Sequence, residues 1–357
     1  MVAISETTTT STPIDRRVFA RHLHVWLGLL LAASILASIA IGAAHISLWS
    51  ALSGLLKGET LPAATKIVLW DIRLPRTIMG FLIGATLAVS GALLQGLFRN
   101  PLADPSIVGV STGASLGAIT AIVLGGALPA AIASQIGAYL VPAAAFLGSW
   151  IAVIVLYHLA TRGSRTSVAT MLLAGIALTA LAGALSGLMI FWADDQQLRD
   201  LTFWQLGSLG GATWSKVGIT IPIIALALVA ALRLAPSLNC FALGETTALH
   251  LGIPVQRVKR MTILTVAAGT GAAVAASGGI GFIGIIVPHL LRLATGPDHK
   301  PLLINAALLG GALLIWADVL ARIILAPAEL PIGIVTAIMG APVFLFILMR
   351  NRQGLGL

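Results

Sequence analysis

Long apolar runs, separated by short polar clusters, recur from residue 23 to residue 350. A helix needs about 20 apolar residues to cross the hydrocarbon core of a bilayer. The pattern predicts ten spans, near 23–46, 75–96, 110–126, 137–160, 168–192, 215–235, 260–278, 283–296, 302–322 and 332–350. Three are shorter than a full crossing, so tilted or broken helices are expected there. The polar, Thr-rich start of the chain carries no such pattern. Residues 1–22 are read as a disordered extension ahead of one transmembrane domain, 23–352. The first apolar run is longer than the core of a signal peptide and is read as a retained span.

Composition agrees with an all-α polytopic membrane protein. Of 357 residues, 58% are hydrophobic and 9% charged, against about 25% charged in soluble domains. Mean hydropathy is +1.01. The net charge of +9 could suggest nucleic acid, but in such a chain it fits basic cytoplasmic loops, and no nucleic-acid partner is expected. Ten spans put both termini on one side. With that side cytoplasmic, fourteen of the 21 lysines and arginines lie inside, as the positive-inside rule requires. Trp49, Trp70, Trp192, Trp204 and Trp214 then fall near the outer interface.

Gly80/Gly84, Gly113/Gly117 and Gly183/Gly187 form G-x-x-x-G pairs, which let helices approach closely. Asn100-Pro101 and Asp104-Pro105 mark a turn between the second and third spans.

Catalytic chemistry is hard to find. No Gly-Lys dipeptide occurs, so the phosphate-binding loop of many ATPases is absent from the sequence. The acidic residues sit in loops or near span ends. Asp318 comes closest to an exception, and Arg322 four residues on shares its helix face, so an ion pair is expected. His289 reads as a structural or helix-end group, and no histidine pair has metal-ligand spacing. Cys240 is alone and permits no internal disulfide. Neither a catalytic nor a metal site is predicted, and an intramembrane enzyme is disfavoured. A transporter driven by an ion gradient is the alternative class that composition leaves open.

Two stretches stand out. In "DIRLPRTIMG" (71–80), Arg73 and Arg76 guard the outer mouth of a span, against the general charge bias. From position alone they read as interfacial anchors, with long side chains snorkelling to the headgroups. In "NCFALGETTALHLGIPVQRVKR" (239–260), apolar residues lie in a segment expected to face the cytoplasm. It reads either as an interfacial amphipathic helix or as a docking surface for a cytoplasmic protein.

"RLPRTIMGFLIGATLAVSGALLQGLFRNPLADPSIVGVSTGASLGA" (73–118), "ALGETTALHLGIP" (242–254), "GFIGIIVPHLLRL" (281–293) and "ADVLARIILAPAELPIGIVTAIMGAPVF" (317–344) together resemble the FecCD family. These are permease subunits of ATP-binding-cassette importers for iron complexes and vitamin B12. The resemblance covers nearly all of the chain beyond residue 23. It implies a type II importer permease with ten helices, in the bacterial inner membrane. It implies a second permease copy, two cytoplasmic ATPase subunits that hold ATP and magnesium, and a periplasmic substrate-binding protein.

On that resemblance, Arg73, Arg76 and Arg322 receive acidic residues of the binding protein. Gly244, Glu245, Leu249, His250, Leu251 and Gly252 contact the ATPase, and Thr166, Ser167, Val168, Ala169 and Thr170 form a cytoplasmic gate. The Glu245-Thr-Thr sequence is a looser form of the Glu-Ala-Ala coupling loop of other importers. "GLFRNPLADPSIVGVSTGASLGA" with "LTFWQLGSLGGATW" (201–214) is most similar to the heme-importing branch. Heme is therefore the expected cargo, ahead of ferric siderophores and vitamin B12. No cofactor is expected on this chain itself.

Overall fold

Helix α2, Ala63–Phe98, forms the axis of the molecule; its first turns, to Ile72, are exposed or half-buried, and from Arg73 to Phe98 it is almost wholly buried. The computed structural model describes residues 16–42, 53, 62–126, 128–163 and 165–351. Around α2 lie α1 (Arg16–Ala40), α3 (Val110–Gly125), α4 (Ala130–Ala160), α5 (Val168–Trp192), α6 (Asp195–Leu206) and α7 (Trp214–Phe241). Then come α8 (Glu245–His250), α9 (Val255–Ser277), α10 (Ile283–Thr295), α11 (His299–Ile323) and α12 (Ile332–Asn351). Each predicted span is met by a helix. Six of the described helices are long and apolar enough to cross a membrane.

The helices α7, α9, α10 and α11 pack on α2, while α3, α4 and α5 form a neighbouring group joined through α9. Small residues set the spacing. A Cβ at Gly84 would collide with the Gly310 carbonyl of α11, one at Gly91 with the Gly284 carbonyl of α10, and one at Gly117 with the Ala144 carbonyl of α4. Lipid tails are as apolar as leucine, so close van der Waals contact of this kind holds helices together in a membrane. Gly183 and Gly187 differ. Among the described residues nothing lies within 4 Å of where their Cβ atoms would be, so this pair takes no part in packing among them.

Several boundaries move from the predicted ones. Helix α1 starts at Arg16, so the expected disordered extension loses residues 16–22 to helix. Residues 1–15 and 43–46 lie outside the described residues. Helix α2 starts at Ala63 rather than 75. Its charged first turns lower hydropathy without breaking the helix. Pro75 is absorbed by a π-helical turn, Ile67–Arg73. There the Leu74 N–H reaches back to the Leu69 carbonyl. The next donor would be residue 75, whose proline nitrogen has no proton. The Trp70 carbonyl instead accepts the indole N–H of Trp214 at 2.9 Å, and the two indoles lie 5.4 Å apart.

The turn between α2 and α3 forms as its Asn-Pro and Asp-Pro steps predict. The Asn100 side chain accepts the Leu102 N–H, and that of Asp104 accepts the Ser106 N–H, each at 2.9 Å. Burial pushes the Asp104 carboxyl above its ordinary pKa, opposed by the Ser106 hydrogen bonds. Helix α6 begins at a capping box, with Asp194 accepting the Gln197 N–H at 2.8 Å and Gln197 returning the bond at 3.1 Å.

Candidate functional site

The polar chemistry gathers at the two ends of α2. Arg76 and Arg99 are 23 residues apart on the sequence, about 35 Å at 1.5 Å per residue. This is close to the roughly 30 Å of a hydrocarbon core.

At the first end, Arg73, Arg76 and Arg322 are only 3%, 6% and 5% exposed. They are not free forks. Arg76 Nε donates to both Asp318 oxygens at 2.9 and 3.1 Å, and its Nη1 donates to both Glu329 oxygens at 2.9 and 3.0 Å. Arg322 Nε lies 3.2 Å from Asp318, the expected i,i+4 pair, and its Nη2 donates to Ser38 Oγ at 3.0 Å. Arg73 Nη1 donates to the carbonyls of Ile39 and Ala40 at 2.7 and 3.0 Å. Buried charge is tolerated when it is paired and hydrogen-bonded in this way. Two arginines and two carboxylates thus tie α2, α11 and the loop before α12 together. Glu329, absent from the predicted site, is the partly exposed member of this cluster.

Nearby, the α6 region shows Phe203 rather than Trp204 as its exposed aromatic ring. Trp204 is partly buried against the cluster of Ala114, Ala118, Ala145, Val274 and Ala275 from α3, α4 and α9.

The opposite end holds the predicted coupling segment. Helix α7 continues through Pro236 to Phe241, and α9 already begins at Val255. The predicted 239–260 segment therefore shrinks to 242–254, with α8 at its centre. Gly244 has φ 104° and Gly252 φ 80°, values that favour glycine because a Cβ would be strained there. Ala248 is fully buried, whereas Leu243, Leu249, Leu251 and His250 are exposed. The leucines present apolar surface that no other described residue covers.

Residues 166–170 join this end. A short hairpin, Thr161–Arg162 paired with Arg165–Thr166, precedes α5 and was not predicted. Thr166 is buried, Ser167 Oγ caps α5 by accepting the Thr170 N–H at 3.3 Å, and Ala169 and Thr170 are exposed. Gln256 and Lys259, at the start of α9, reach over to Thr166. Lys259 also donates to Glu245 at 2.7 Å. Counted from the sequence as a cytoplasmic loop charge, Lys259 is in fact 2% exposed.

A third polar knot binds α2, α7, α10 and α11. Arg292 Nη2 donates to the Ala92 carbonyl at 3.2 Å and stands 3.1 Å from His299 Nε2. His299 Nδ1 lies 2.8 Å from Asn239 Oδ1. An arginine can only donate, so His299 Nε2 accepts and the proton sits on Nδ1. His289 is buried in α10.

Between the ends, α2 and α9 bury hydroxyl side chains, Thr86, Ser90, Thr262 and Thr270 among them. A cavity of about 670 Å³ between α3, α4 and α5 has Thr112 and Thr120 as its only polar side chains. No cluster of three metal-ligating side chains occurs among the described residues.

The model of the FecCD transport family matches residues 30–350. The hemin transport system permease protein HmuU of Yersinia pestis is 42% identical over 347 residues, 95% of this chain and 99% of that protein. The cobalamin import system permease protein BtuC of Halobacterium salinarum is 43% identical over 293 residues, 82% of this chain and 76% of the relative. A metal-chelate type ABC transporter solved in an inward-facing conformation superposes with a TM-score of 0.81 at 30% identity, covering 92% of this chain and 99% of that one. Apolar helices of spanning length and full-length permease relatives lead to one conclusion: the chain belongs to the FecCD transport family, and is a multi-pass membrane permease of the ABC importer type.

Proposed function

We propose that this chain carries heme across the bacterial inner membrane into the cytoplasm, driven by ATP that two separate subunits hydrolyse. The observation that carries the cargo reading is the end-to-end match to the hemin permease. It spans 99% of that protein, against 76% for the cobalamin permease of Halobacterium salinarum and 87% for a vitamin B12 permease of Citrobacter koseri. Ferric siderophores and vitamin B12 are the alternative cargoes.

In this reading the ten helices other than α6 and α8 span the membrane, both termini face the cytoplasm, and two copies of the chain flank the path. The largely unburied α5, with nothing against Gly183 and Gly187, is a surface that a second copy can cover. The permease performs no covalent chemistry and holds no cofactor; ATP and magnesium stay on the ATPase. Affinity for cargo lies in the periplasmic binding protein, which suits a path with so few polar groups. The structural relative caught facing inward represents one of the states that alternating access requires.

The end that carries Arg73, Arg76 and Arg322 receives the binding protein. Arginine suits this because its planar fork pairs bidentately with carboxylate. Arg76 already holds Glu329 through Nη1 alone, while its Nε/Nη2 edge holds Asp318, so an incoming carboxylate takes the place of the partly exposed Glu329. At the other end, Gly244, Glu245, Leu249, His250, Leu251 and Gly252 dock the ATPase, supported by the exposed leucines. Thr166, Ser167, Val168, Ala169 and Thr170 form the gate, next to that docking surface.

Cargo is tested by competition. Proteoliposomes holding the permease, its ATPase and its binding protein are given labelled hemin with excess unlabelled ferric siderophore or cobalamin. Hemin uptake should persist. Suppression by cobalamin, with cobalamin itself accumulating, would replace heme with vitamin B12.

A further inference from the structure

The coupling helix and the gate are joined through one buried ammonium group. Lys259 Nζ donates to Glu245 Oε2 and to the Thr166 carbonyl, both at 2.7 Å. One turn earlier on the same face of α9, Gln256 Oε1 accepts the Thr166 N–H at 2.8 Å. Both main-chain polar groups of Thr166 are thereby held by α9. Thr166 leads directly into Ser167, the cap of α5. Glu245 is the first residue of α8.

A lysine is a poor choice for filling space here. Its charge loses hydration on burial, and an apolar side chain of the same length would fill the volume without that loss. Its use is to bond two partners at once. Glu245 belongs to the segment that carries the exposed leucines, and Thr166 to the start of α5. If α8 shifted alone, the ammonium would stay buried with only a carbonyl to balance it. Displacing α5 alone would break the bonds to both Lys259 and Gln256. The arrangement of lowest energy moves α8, the start of α9 and Thr166 together.

We propose that Lys259 is the positioning residue that transmits movement of the coupling helix to the gate. The inference rests on the reading of 245–252 as the ATPase contact and of 166–170 as the gate. It adds the physical link between them.

The test uses the full importer in proteoliposomes and two readouts. One is cargo moved per ATP hydrolysed. The other is the maleimide labelling rate of Ala169→Cys on a Cys240→Ala background, with and without ATP. With the native Lys259, labelling should change with ATP. Lys259→Met should abolish that change and lower cargo per ATP by about tenfold, within the usual range of coupling between sites. Lys259→Arg should restore both in part, which a loss of packing alone would not explain. If Lys259→Met yields no folded protein, Glu245→Gln takes its place. That variant keeps the shape of the contact, removes its charge, and should blunt both readouts. ATP-dependent labelling and full cargo per ATP in the neutralised variants would overturn the inference alone. A native chain whose labelling ignores ATP would overturn the importer reading and the inference with it.

Discussion

Arg76 and Glu329 meet through two hydrogen bonds from one guanidinium nitrogen, at 2.9 and 3.0 Å, although 253 residues separate them in the chain. The same guanidinium holds Asp318 on its other edge. Arg76 therefore reaches a foreign carboxylate only when Glu329 lets go. Removing Glu329 should tighten docking. If the fork is free in about one molecule in ten, Glu329→Ala should lower the Kd for the binding protein by about tenfold. Affinity of the binding protein for the permease in nanodiscs measures this. Weaker binding would mean that Glu329 itself contributes to the contact.

Arg76 also holds the fold. Arg76→Glu would set a third carboxylate beside Asp318 and Glu329. Loss of a buried partner costs about 3–5 kcal/mol. The variant should unfold at a clearly lower temperature in detergent than the native protein. Any loss of uptake it shows would report this damage before it reported docking.

Gly84 and Gly183 should behave oppositely. Gly84 faces the Gly310 carbonyl with no room for a Cβ, while Gly183 faces open space. Forcing a methyl between α2 and α11 costs about 1–3 kcal/mol. Gly84→Ala should lower the melting temperature, and Gly183→Ala should leave a single protomer's stability as it was. Thermal unfolding of the two variants side by side decides this.

Leu251 is 58% exposed at the end of α8. Leu251→Asp should spare folding and weaken ATPase docking, by about 2 kcal/mol if Leu251 is an anchor of that interface. Co-purification of the ATPase, together with uptake per ATP, checks the expectation. Full assembly and full uptake would remove Leu251 from the docking surface.

Hydropathy was enough to locate a helix over every predicted span, since a bilayer demands long apolar runs. It missed the ends of α2 and α7, where charge or proline interrupts hydropathy but not hydrogen bonding. The π-turn at Ile67–Arg73 was invisible because it depends on Pro75 and on an indole from Trp214. The arginines of the first end were legible as unusual charges. Their burial, and the role of Glu329, were not, because both arise from contacts between distant segments. Lys259 looked like one more loop charge until the fold brought Thr166 and Glu245 to it. Gly183 and Gly187 matched a packing motif, yet spacing alone does not say whether a neighbour is present.

In the proposed function, ATP hydrolysed on another subunit drives cargo through this chain. The most direct measurement is hemin accumulation by proteoliposomes containing the permease, its ATPase and its binding protein. ATP would be present or absent, with ionophores collapsing every ion gradient. Accumulation that requires ATP and survives the ionophores is the predicted result. Accumulation that ignores ATP and vanishes with the gradients would contradict it.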